Sequence, residues 1–366
     1  MSKEERLGRE TGVFQSHCHF WNNSPRTVLR NERFHIPDRL AIRIRDENIK
    51  GEFTPEMLDI EKLIDDITLA YQDCPLLDGD VFQSISFVGM VPWVEAIIGC
   101  HIYSLGRGAS MVANPADIEL GDLPQHLHYL FDNLEENVWF KKLSDGCQAL
   151  AGALGAKFPL AHTGGMRGPG DMVGALLGHE NFVGRMLKPA DNKDFLNELL
   201  DICAKIYIKT VKMQLEHLGK FKGGYCNGWG LWAPGSNVKI QEDEAAFVSP
   251  KLYDEFLLPY HIREVNAFDY STFHMHSGYV MSIYNWRDFS KRSNISAFEV
   301  ALDLSGPTVE DLMDTLLEIN SEKPLIIDTL TDEQDKTVEK HICDFPGSIL
   351  YKKGNIASVF GETQKA

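Results

Sequence analysis

Hydrophobic and polar positions along the chain fall into two alternating rhythms. Short runs rich in aromatic and β-branched residues alternate with longer stretches whose apolar residues recur every three or four positions. The short runs read as strands at "VFQSHCHF" (13–20), "VFQSISF" (81–87), "KFPLAHT" (157–163), "GYCNGWG" (224–230), "YSTFHMH" (270–276), "SAFEVAL" (296–302), "KPLIIDT" (323–329) and "SILYKK" (348–353). Helical spacing marks 58–72, 191–220, 249–265, 306–319 and 331–342. Ser249 and Pro250 supply a helix N-cap and a favoured first helical residue. Strands alternating with helices predict a parallel sheet, and roughly eight strands predict a (β/α)8 TIM barrel. The less regular residues 1–80, with 104–156, are expected to add helices and loops around the barrel mouth. The whole chain, 1–366, then reads as one domain.

Composition narrows the function classes. The 366 residues are 43% hydrophobic and 24% charged, enough apolar material for one large core. A net charge of −17 and a pI near 5.2 disfavour nucleic acid and anionic membrane surfaces as partners. The opening "MSKEERLGRE" has no apolar signal segment. No run approaches the ~18 uncharged apolar residues of a membrane span. Seven cysteines without a C-x-x-C pair indicate neither a disulfide framework nor a zinc ribbon, and point to the cytoplasm.

In parallel barrels the chemistry sits at the C-terminal ends of the strands. His19, His162, Asn227, Trp229, Glu299 and Asp303 end predicted strands and are candidates for substrate binding. His274 and His276 are the sharpest feature. Residues two apart on a strand share a face, so both imidazoles leave the segment together. Such a pair suits zinc or another divalent metal. The alternative is one buried, hydrogen-bonded histidine beside one solvated histidine. Glu242 and Asp243, in the loop 226–250, are candidates to orient substrate or shuttle a proton, with Trp229 and Trp232 as walls. "TGGMRGPGD" (163–171) lacks the Lys-Ser/Thr of a phosphate loop, and Pro169 breaks a dinucleotide spacing. It reads as a tight turn whose amides could hold an anionic group.

"GMVPWVEAIIGCHI" (89–102), "GPGDMVGALLGHENFVGRMLKPADNKDFLNELL" (168–200), "EDEAAFVSPKLYDEFLLPYHIREV" (242–265) and the following "FHMHSGY" together resemble the uroporphyrinogen decarboxylase superfamily. The likeness runs from about residue 80 onward and implies a (β/α)8 barrel. The arginine-rich N-terminal motif of the true porphyrinogen decarboxylases is missing: Arg26, Arg30 and Arg33 are present without it. The resemblance is nearest in kind to the corrinoid-linked methyltransferases, which hold zinc with a His-x-Cys on this strand and a later cysteine. His274 matches the histidine, His276 stands where the cysteine would be, and Cys343 is the one later cysteine. The resemblance therefore implies methyl transfer between a corrinoid, carried by a partner protein, and a small-molecule substrate. Glu242, Asp243, Glu299 or Asp303 would be a third ligand, and a homodimer is compatible with it. A decarboxylase or lyase of a small carboxylate, or a non-catalytic ligand-binding barrel, are the alternatives.

Overall fold

The two rhythms of the sequence do build a mixed α/β protein around parallel strands. The computed structural model describes residues 3–31, 50–88, 91–105, 111–163, 166–280 and 285–353; Arg33 lies outside them. The parallel strands, in chain order, are β1 (Val28–Asn31), β2 (Ile85–Ser86), β3 (Leu160–Ala161), β4 (Asn237–Ile240), β5 (Tyr270–His276), β6 (Ala297–Ala301), β7 (Leu325–Asp328) and β8 (Ile349–Lys352). Six of them form one parallel sheet in the order β1–β8–β7–β6–β5–β4. β2 and β3 form a second parallel pair, Ile85 beside Leu160 and Ser86 beside Ala161.

Side chains meet the open edges of these sheets. Asp80, ahead of β2, accepts from Arg30 N (3.0 Å) and donates its own N–H to Arg30 O (2.8 Å). His162, just past β3, accepts from Lys239 N of β4 through Nε2 at 2.9 Å. Backbone polar groups at a sheet edge need such partners once they are out of water.

Strand periodicity sorts the side chains into two environments. Val238, Ile240, Phe273, Met275, Phe298, Val300, Ile327 and Tyr351 face the helices in the main core. Ala297, Ile326, Leu350 and Leu29 face the other way, against Phe20, Trp21, Trp229 and Leu231. Two residues further along the same strands, that second face becomes polar: Glu299, Asp328 and Lys352. The apolar half lies at the strand N-termini and the charged half at the C-termini.

Several expected elements are corrected. Residues 13–20 are not a strand but the end of a helix, Lys3–Trp21. The buried residues Val13, His17, Phe20 and Trp21 have helical spacing, which the shorter alternation in "VFQSHCHF" masks. The run 224–230 does not enter the parallel sheet. Tyr225–Cys226 pairs antiparallel with Trp232–Ala233 around a turn, and the parallel strand is Asn237–Ile240, inside the segment read as one long loop. Gly230 has a positive φ of 77°, and a Cβ there would lie 2.0 Å from Phe82 O. Residues 81–87 are two short pieces, Val81–Phe82 and Ile85–Ser86. β1 lies in the segment read as irregular.

The helices follow the sequence more closely. Pro189–Leu218 buries Leu199, Cys203, Ile206 and Tyr207 along one side. Ser249 accepts from Leu252 N as the expected cap. The 249–265 helix widens to a π turn at Tyr253–Leu257 just before Pro259, where proline lacks an N–H to continue the ladder. Residues 104–156 contribute Leu123–Asp132 and Val138–Leu154. Among the described residues no helix is long and apolar enough to cross a membrane.

Three buried histidines are locked neutral by the backbone and side chains around them. His17 donates from Nε2 to Asp80 O (2.9 Å) and accepts at Nδ1 from Trp232 N (3.0 Å). His162 donates from Nδ1 to Thr163 O (3.1 Å) and accepts at Nε2. His261 lies between Tyr253 Oη (2.9 Å) and Glu242 Oε2 (3.0 Å). Burial lowers all three, to about 4, about 4 and about 3 from 6.5. The unfolded chain then binds more protons as pH falls below 6.5, so stability is lost downward through the window from 6.5 to about 4. The slope is about 1.4 kcal/mol per pH unit for each histidine. Urea unfolding of His162→Gln, whose amide oxygen can still accept from Lys239 N, is expected to show a shallower loss between pH 6.5 and 4.5 than wild type. Equal slopes would mean that carboxylates alone govern the acid limit.

Candidate functional site

β5 and β6 are neighbours in a register that pairs His274 with Glu299 and His276 with Ala301. In a parallel ladder such partners share a face. His274 therefore points to the charged half of the sheet and meets Glu299, to which its Nδ1–H donates. His276 is the last residue of β5, and its Nδ1–H donates to Asp303 Oδ1 at 2.8 Å. Asp303 follows β6 and is fixed from behind, its own N–H donating to Ser277 Oγ (3.1 Å).

Each imidazole thus sets Nδ1 on a carboxylate, which favours the Nδ1–H tautomer, and turns Nε2 toward the other ring. The two Nε2 atoms face each other 3.3 Å apart. Two lone pairs at that distance repel unless a proton or a metal ion sits between them. Burial is the largest influence on His274 and lowers its pKa; Glu299 pulls the other way. Asp243 completes the cluster, with Oδ1 3.9 Å from His276 Nε2. Gln241 Nε2 holds that carboxylate through both oxygens, at 3.0 and 3.1 Å. His276 and Asp243 keep 34% and 38% of their side-chain exposure, so the cluster is open on one side, whereas His274 at 10% is enclosed.

The donor set can be tested against a metal. Zinc–nitrogen bonds of 2.0–2.1 Å in a tetrahedron put two ligand nitrogens ~3.3–3.4 Å apart. The observed separation fits. A carboxylate on the far nitrogen of each histidine is the usual way that metal-bound imidazoles are oriented. Charge agrees as well. Glu299, Asp303, Asp243 and Asp328 bring four carboxylates to this end of the sheet, against the ammonium groups of Lys239 and Lys352.

Except for Trp229, the other predicted residues lie elsewhere. Glu242, next to Asp243 in sequence, points the opposite way and is 2% exposed. Its carboxylate accepts from Gly170 N (2.9 Å), Asp171 N (2.7 Å) and His261 Nε2 (3.0 Å). It occupies the helix start at Pro169–Leu177 that the glycine-rich turn offered to an anionic ligand. A Cβ on Gly170 would lie 2.8 Å from that carboxylate, which accounts for the glycine. Asp171 returns the contact by accepting from Asp243 N (2.8 Å) and Glu244 N (3.1 Å). Burial pushes Glu242 up to about 7, and it raises Asp171 too.

His162 is buried with both nitrogens used by backbone groups. Asn227 accepts from Trp229 N and Leu231 N and shapes the turn. His19 lies on the helix Lys3–Trp21. Its carbonyl accepts from Ser348 just before β8, at the opposite end of the strands from His276. Trp232 donates to Phe221 O and stacks edge-on with Phe14, on the same helix as His19. Cys343 is exposed, in a turn ahead of β8. Trp229 is 6% exposed and forms part of the floor. Gln241, Ser277 and Lys239 were not singled out from sequence; only the position of Lys239 in the alternating "NVKI" marks it as facing the histidines.

No protein-family model matches the chain, and no curated protein matches it.

Adjacent acids should behave oppositely on substitution. Glu242→Ala leaves two backbone N–H groups and His261 unpaired in the interior, and is expected to cost on the order of 3 kcal/mol in calorimetric unfolding. Asp243→Ala keeps its backbone N–H on Asp171 and is expected to shift stability by less than about 1 kcal/mol. Equal destabilisation by the two would contradict this division.

Proposed function

We propose that β1–β8 close into a (β/α)8 barrel and that its mouth holds a divalent metal, zinc for preference, for methyl transfer to a small-molecule substrate. Closure is supported by the parallel pairing within both groups of strands and by the Asp80 and His162 contacts between them. The site reading is carried by one observation: two imidazole nitrogens, each fixed by a carboxylate on the other ring nitrogen, face each other 3.3 Å apart.

His274 and His276 would hold the metal, with Asp243 as the third protein ligand. A divalent ion bound by imidazole and carboxylate supplies a Lewis acid suited to an oxygen or water ligand. Glu299 and Asp303 keep both rings in the Nδ1–H tautomer, so that Nε2 stays available. When Asp243 is free of the metal, it is the exposed carboxylate placed to take a proton from an incoming hydroxyl or thiol. Gln241 steers it by bonding both of its oxygens. The methyl donor would be a corrinoid carried by a separate protein, an expectation that rests on the resemblance of 168–200 and 242–276 to the corrinoid-linked methyltransferases.

Elemental mass spectrometry of the purified chain tests the site. Near-stoichiometric metal is expected in wild type and none in His274→Ala/His276→Ala. Glu299→Gln is expected to weaken metal retention by about 10–100-fold, as loss of an orienting carboxylate does. Absence of metal after zinc loading would overturn the reading. Metal without methyl transfer from any corrinoid donor would overturn the reaction but keep the site.

A further inference from the structure

Two lysines stand on the same face as the histidine pair and take no part in the proposed reaction. Lys239 and Lys352 approach the Trp229 indole from β4 and β8, with Nζ 5.5 and 6.0 Å from the ring centroid. Both are cation–π contacts to one aromatic ring. Lys352 Nζ donates to Asp328 Oδ2 at 2.8 Å. Among the described residues, the Lys239 ammonium has no hydrogen-bond or ion-pair partner.

The backbone of Lys239 is fixed by His162 on its N–H and by Tyr207 Oη on its carbonyl (2.7 Å). The acids that act on it are committed elsewhere: Glu299 to His274, Asp243 to Gln241 and Asp328 to Lys352. Enclosure lowers its pKa most, Glu299 opposes this, and Lys352 adds to the lowering. Two like charges therefore face one indole, and of the carboxylates around them only Asp328 makes a direct ion pair, with Lys352. Lys239 pairs in register with Thr272, two residues short of His274. That offset is about 6–7 Å along the strand, a span that a lysine side chain covers.

We propose that Lys239 is the anion-binding residue of this site and takes a carboxylate of the substrate, so that the protein selects small carboxylic acids. The inference rests on the reading that the His274/His276 cluster is the reactive end of the site. Lys239 would hold the far end of the molecule and leave its reactive atom at the histidines. A charge-assisted hydrogen bond from a partly buried ammonium, with no competing acceptor in contact, gives such selection against neutral analogues.

Calorimetric titration of the full chain with benzoate and with its neutral isostere benzamide tests this, in metal-free and zinc-loaded protein. Benzoate is expected to bind both forms, and benzamide about tenfold more weakly or worse, the loss of one charged hydrogen bond. Lys239→Met and Lys239→Gln are expected to lose about tenfold or more in benzoate affinity with metal content unchanged, and Lys239→Arg to retain it. Benzoate binding that is unaltered in the Met and Gln variants would overturn the proposal, as would binding of benzamide equal to benzoate. Should the Met variant fail to fold, the Gln variant and the wild-type comparison decide. Lys239-dependent benzoate binding without metal uptake would sink the metal reading alone. Stoichiometric metal without Lys239-dependent binding would sink this proposal alone.

Discussion

The parallel register between β5 and β6 is the constraint on which the candidate site depends. It sets His274 beside Glu299 and places His276 within reach of Asp303 in the following turn. A slip of one residue would turn both imidazoles into the apolar layer beneath the helices and bring Phe273 and Met275 to the charged face. The burial of those two residues in the main core, with Phe298 and Val300 next to them, makes that slip expensive. The same hydrophobic packing that stabilises the sheet thus fixes the direction of the polar side chains between the apolar ones.

The histidines fall into two groups by their hydrogen bonds. At His17, His162 and His261 both ring nitrogens are used by the protein itself. Those rings act as joints where backbone ladders end or helices meet the sheet. At His274 and His276 Nδ1 meets a carboxylate, and the two Nε2 atoms meet each other at 3.3 Å rather than a backbone group. Buried polar groups are ordinarily satisfied; the 3.3 Å Nε2–Nε2 contact calls for a proton between the rings or an ion in its place, and the proposed metal site rests on that contact. The Glu242–Asp171 brace shows the structural alternative, in which every carboxylate is met by backbone donors and the site is closed.

The strands from residue 270 onward were legible because they are dense in β-branched, aromatic or aliphatic residues, with a seven-residue alternation in β5 and near-continuous apolar runs in β7 and β8. β1 and β4 were not, because each has only two apolar residues, Val28 and Leu29 or Val238 and Ile240, too few to stand out from the turns around them. The helix over 13–20 was misread since two of its buried side chains, Val13 and His17, are also an even number of residues apart. The His274/His276 pair was visible from spacing alone, and Glu299 and Asp303 were visible as strand-end acids. That they are partners of those histidines was not, because the contact spans 25 and 27 residues and exists only through strand pairing.

The sequence by itself determined the alternation of strand and helix, the apolar faces and the shared direction of two imidazoles, since these follow from local periodicity. Tertiary structure decided between Glu242 and Asp243, which are equivalent to any reading of spacing. The turn after β4 sends one carboxylate into the interior, onto the amides of Gly170 and Asp171, and leaves the other beside His276. It also decided that Lys239 stands on the histidine side with its ammonium in no direct hydrogen bond or ion pair among the described residues. Both outcomes depend on which elements pack together, and contacts between distant segments are set by the burial of the whole core.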